Sequence, residues 1–82
     1  MLDVRRLRVL SEVAARGSFS AAAAALTLTQ SAVSQHIAAL EREVGLPLIE
    51  RGTRPLELTE GGYALTRHAT GIFARLEGAE QN

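Results

Sequence analysis

The sequence holds no cysteine, no lysine and no tryptophan, and only two phenylalanines, one tyrosine, one aspartate and two prolines among 82 residues. Without cysteine there is no disulfide framework, no thiolate metal site and no cysteine nucleophile. Aromatics are 4% of the chain against 46% apolar residues in all, so any core is built from Leu, Val, Ile and Ala. No apolar run approaches the ~18 residues of a membrane span and the N-terminus lacks a signal-peptide layout, so a cytoplasmic chain without a membrane partner is expected. A converging acid, base and nucleophile are missing too. Asp3, Tyr63 and the separated His36 and His68 form neither a catalytic constellation nor a metal site. The expectation is a non-enzyme with no cofactor in this domain.

Net charge is also absent, because nine basic residues balance nine acidic ones. That excludes a strongly basic tail or a bulk polyanion binder. All nine basic residues are Arg, a pattern open to codon bias but also suited to bidentate contacts with phosphate or guanine. Their distribution is uneven: residues 1–42 hold five Arg against three acids, and residues 43–82 hold four against six. The length allows one small domain, which buries roughly 60% of its unfolded surface and gains from a second protomer.

Apolar Leu7, Leu10, Val13 and Ala14, at helical spacing behind a capping Asp3, predict a first helix to about Ala15, stopped by Gly17. Ser20 is expected to cap a second helix, Ala21 to Leu26. Its five consecutive alanines suit a close approach of helix backbones or simply high helix propensity. Thr29 then caps a third helix, Gln30 to about Val44, ended by Gly45 and Pro47. Short extended runs at Leu48 to Arg51 and Leu56 to Leu58 flank the turn composition Gly52-Thr53-Arg54-Pro55, which reads as a hairpin. Thr59 caps a last helix running almost to Asn82.

Two short helices joined by a three-residue turn are a helix-turn-helix pattern. On the third helix Val33, Ile37, Leu40 and Val44 form one apolar stripe. Opposite lie Ser31, Gln35, Ala38 and Arg42, with Gln30 and Ser34 flanking at the first turns. From Thr27 to Leu40 no residue is formally charged. A solvated surface helix would usually carry Glu and Lys there. A face entering a polyanion's major groove avoids acids and offers hydrogen-bonding groups, with the helix N-terminus adding partial positive charge. A plain polar face is the competing reading. His36 falls beside the apolar stripe and reads as an edge residue, and His68 has no second ligand nearby.

These residues resemble the N-terminal DNA-binding domain of LysR-type transcriptional regulators. Gly17-Ser18-Phe19-Ser20 with Ala22, Ala23 and Leu26 is similar to that family's entry into its second helix. Thr29 to Ser34, Ile37, Leu40-Glu41 and Gly45 resemble its recognition helix. Leu48, Arg51, Arg54, Leu58-Thr59 and Gly62 match its wing and the start of its linker helix. The similarity spans about residues 2 to 66 without gaps. Thr29 stands where Ser is common, Ile49 where Phe is usual, and Gln35 at a position often basic in relatives.

The resemblance implies a mainly α fold: a winged helix-turn-helix over residues 1–58, with three helices and a two-stranded hairpin wing, then a linker or dimerisation helix over 59–82. The family's C-terminal ligand-sensing domain is absent from the chain, which resembles an excised domain, and a small-molecule effector is expected only there. The implied activity is sequence-specific binding of double-stranded DNA in transcription regulation, in a cytoplasmic, nucleoid-associated bacterial protein. Gln30, Ser31, Ser34 and Gln35 are the expected base-reading or phosphate contacts, and Arg51 and Arg54 the wing contacts. An ion pair of Arg51 with Glu50 or Glu57 stays equally open. Ser18 is a weaker phosphate contact, whereas N-capping accounts for Ser20.

On the last helix Leu65, Ala69, Ile72, Leu76 and Ala79 repeat at spacings of four, three, four and three, which is the seam of a coiled pair. The simplest partner is the same helix of a second protomer, giving a homodimer on a pseudo-palindromic site, with a tetramer open to the full-length protein. Packing of the early seam on the first helix is the competing reading. The alternative function is a helical interaction or dimerisation module without DNA binding.

Overall fold

The computed structural model describes residues 3–81 and, beyond Gly71, the side chains of Ala74 and Arg75 only. The element order is α1 (Val4–Arg16), α2 (Phe19–Leu26), α3 (Gln30–Val44), β1 (Ile49–Glu50), β2 (Glu57–Leu58) and α4 (Glu60–Gln81). It is mainly helical: four helices and one antiparallel hairpin, with Ile49 opposite Leu58 and Glu50 opposite Glu57. The strands are two residues each, shorter than the extended runs predicted around them.

Side-chain caps set the helix starts. Asp3 accepts from the Arg5 amide at α1, and Thr29 Oγ1 from the Ala32 amide at α3. Thr59 Oγ1 accepts from the Gly62 amide at 3.0 Å and donates to the Pro47 carbonyl, so it caps α4 and ties it to the segment before β1. The prediction for α2 needs correction. Ser18, in extended conformation directly after left-handed Gly17, is the cap, and its Oγ accepts from the Ala21 amide at 2.9 Å. Ser20, expected in that role, already lies in the helix and is exposed.

The core joins Leu7, Val9, Leu10 and Val13 of α1, Ala22 and Ala23 of α2, and Val33, Ile37 and Leu40 of α3. Leu48, Ile49 and Leu58 of the hairpin and Ala69 of α4 complete it. Full burial of a Leu or Ile side chain contributes about 1.5–3 kcal/mol, so Leu10→Ala at the centre would cost roughly 2–5 kcal/mol. Ala22 and Ala23 face inward, the close approach their small side chains permit, while Ala24 and Ala25 are exposed and owe their place to helix propensity. At Gly62 an added Cβ would overlap the Leu48 carbonyl, so the start of α4 lies directly on the chain entering β1.

Candidate nucleic-acid interface

The apolar stripe of α3 turns Val33, Ile37 and Leu40 inward and leaves Val44 half-buried. Gln30, Ser31, Ser34 and Gln35 are all exposed on the remaining surface, so the four predicted residues share one outward region at the N-terminal half of α3. His36 is half-buried at its edge. The two carboxylates of the C-terminal half are both engaged: Glu41 faces Arg51 at 3.3 Å, and Glu43 pairs with Arg6 of α1.

Beside this surface, the start of α2 and the hairpin turn enclose an open cleft of about 560 Å³. Ser18, Ser20, Gln30, Arg51, Thr53 and Arg54 line it, and none of its lining residues is acidic. The structure thus brings the predicted Ser18, Gln30, Arg51 and Arg54 together. Ser18 Oγ is occupied as a helix cap, which leaves Ser20, 3.3 Å away and exposed, as the more open hydroxyl of the cleft. Sequence reasoning missed Ser20 as a lining residue because either serine fits a cap at that spacing.

Arg54 is exposed and makes no ion pair with the described residues. For Arg51, neither expected partner is the one found. Arg51 stands in the turn just after β1 and makes no ion pair with Glu50 or Glu57. Glu41 instead spans from α3 to the hairpin, where it accepts from the Leu48 amide at 2.8 Å and faces the Arg51 guanidinium. That tie fixes the root of the hairpin to the helix carrying the polar face.

Two of the predicted seam residues are engaged within the chain. Ala69 is 1% exposed in the core and Leu65 packs against it, as α4 crosses α1. Ile72, Leu76 and Ala79 lie outside the described residues. Among the described residues no three His, Asp or Glu side chains gather as a metal site, and no helix is long and apolar enough to cross a membrane.

The family model for bacterial regulatory helix-turn-helix proteins of the lysR family matches residues 4–63. The chain belongs to the lysR family. It is 46% identical over 76 residues to the transcriptional regulator y4mQ of Sinorhizobium fredii, covering 92% of this chain and 26% of that protein. It is 40% identical over 81 residues to the regulator MetR of Haemophilus influenzae, covering 99% of this chain and 26% of MetR. It spans about a quarter of the length of these lysR-family relatives. The fold superposes with a TM-score of 0.92 on the crystal structure of a BenM_DBD/catB site 1 DNA complex, at 31% identity over 98% of this chain and 89% of that one.

Proposed function

We propose that this lysR-family domain binds double-stranded DNA sequence-specifically, with α3 in the major groove, and so regulates transcription. One observation carries the reading: Gln30, Ser31, Ser34 and Gln35 are exposed on a face without a free carboxylate, next to a cleft bearing Arg51 and Arg54. Gln side chains pair bidentately with adenine, and each good base contact is worth roughly 1–3 kcal/mol of discrimination. The hairpin acts as the wing, with Arg54 on the sugar-phosphate backbone and Ser18 and Ser20 as hydroxyl contacts at the start of α2. The BenM relative's crystallisation with DNA supports this reading.

The functional unit is a homodimer or higher oligomer on a pseudo-palindromic site. Residues 59–82 serve as the linker and dimerisation helix, through the later seam positions Ile72, Leu76 and Ala79. A ligand-sensing domain in the full-length protein takes the effector, and the protein works in the cytoplasm on the nucleoid. Selection of bound duplexes from a randomised library tests the reading. An enriched inverted repeat is expected, and Gln35→Ala shifts the preferred base at one position per half-site. Retention of no duplex above background would instead favour a protein-interaction module, and retention of all duplexes alike would remove the sequence specificity.

A further inference from the structure

A second groove borders the polar face of α3 on the side away from the wing. Arg6 of α1 and Gln35, His36 and Arg42 of α3 line it around Ala32, Ala38 and Ala39, enclosing about 400 Å³. No acidic residue lines it. Two contacts fix the sides of α3: Glu41 reaches Arg51 of the hairpin, and Glu43 reaches Arg6 of α1. Arg42, between them in sequence, is exposed and makes no ion pair with the described residues. Both neighbouring carboxylates are thus neutralised by other arginines, and Arg42 is left as an outward cation.

We propose that this groove holds a backbone phosphate of the DNA strand opposite the one met by the wing, with Arg42 as its principal contact. The inference rests on the DNA-binding reading above. A helix lying in a major groove ~12 Å wide has a phosphodiester backbone on either flank. The Arg51–Arg54 cleft adjoins the Glu41 side of α3 and the Arg6–Gln35–Arg42 groove its Glu43 side, with Ser31 and Ser34 between them. Clamping both strands fixes the roll of α3 about its own axis, and that roll decides which side chains meet base edges. Arg42 is thereby a positioning residue for base readout.

The test replaces single phosphates of a selected duplex by neutral methylphosphonates and measures binding of the unmodified chain, Arg54→Ala, Arg42→Ala and Arg42→Lys. Two groups of sensitive phosphates per half-site are expected, one on each strand. Arg54→Ala should abolish the sensitivity of one group, Arg42→Ala that of the other, and Arg42→Lys should restore it. Arg42→Ala should also lower the slope of log affinity against log salt by about 0.9 per protomer, a change of about threefold in affinity across a fourfold rise in salt. Unaltered thermal melting of Arg42→Ala confirms that the fold is intact. If Arg42→Ala keeps both groups and the parent slope while Arg54→Ala loses its own, the groove assignment falls and the DNA reading stands. If the unmodified chain binds no duplex, both fall.

Discussion

Gly17 and Pro55 touch where the first helix ends and the hairpin turn closes. An added Cβ on Gly17 would lie 2.7 Å from Pro55 Cβ, and the Leu56 amide donates to the Gly17 carbonyl at 2.9 Å. Gly17 also has φ 71°, left-handed backbone that a side chain disfavours by roughly 1–2 kcal/mol. A single bare Cα therefore ends α1, presents Ser18 as the cap of α2 and seats the proposed wing. Gly17→Ala combines backbone strain with a clash and should cost about 2–3 kcal/mol in chemical denaturation. A loss of only about 1–2 kcal/mol, the backbone cost alone, would show that Pro55 moves aside freely.

The two serines at the start of α2 separate cleanly by substitution. Ser18→Ala removes the cap on the Ala21 amide and should cost about 1 kcal/mol. Ser20→Ala deletes an exposed hydroxyl inside the helix and should leave stability within about 0.5 kcal/mol. Thermal melting of the two variants side by side checks the assignment. Equal losses would mean that the cap is shared.

Local chemistry explains what could be read from the chain and what could not. Asp3, Thr29, Gly17 and Gly45 mark helix ends by their own backbone and hydroxyl or carboxylate preferences, so α1 and α3 were legible within a residue. The outward set Gln30, Ser31, Ser34 and Gln35 followed from helical periodicity alone. Ser18 and Ser20 were not separable, because both lie within reach of a first-turn amide until Gly17 fixes where the helix begins. The Glu41–Arg51 contact joins elements ten residues apart, and no local pattern ranks Glu41 above Glu50 or Glu57. Ala69 read as part of an intermolecular seam because spacing reports a buried face and not what covers it. Val9 is buried although it falls outside the predicted stripe, since α1 meets neighbours on more than one side.

Asp3 makes one part of stability depend on acid pH. Its carboxylate accepts from the Arg5 amide and faces the Arg5 guanidinium, and these contacts hold its pKa below the ordinary carboxylate value. A depressed folded-state pKa means stabilisation that is complete above the unfolded value, near pH 4, and lost as pH falls through the folded value. Asp3→Asn keeps a capping oxygen but cannot titrate. The native chain should therefore melt above this variant at neutral pH, and the gap should close toward pH 2. A gap that stays constant with pH would assign the effect to something other than the Asp3 charge.

Arg51 and Arg54 border the same cleft but are held differently, and their substitution should separate a committed cation from a free one. Arg54, exposed and without an ion pair among the described residues, can give its full charge to a phosphate. Arg51 is shared with Glu41, whose other oxygen accepts from the Leu48 amide. On duplex DNA, Arg54→Ala should lower the salt slope by about one per protomer on every sequence, with the fold undisturbed. Arg51→Ala should change the slope less, and lower stability by under about 1 kcal/mol because its own guanidinium is largely exposed. Glu41→Ala should cost more, about 1–3 kcal/mol, since it also strips the partly buried Leu48 amide of its acceptor. Equal slopes for Arg51→Ala and Arg54→Ala would mean that DNA draws Arg51 away from Glu41.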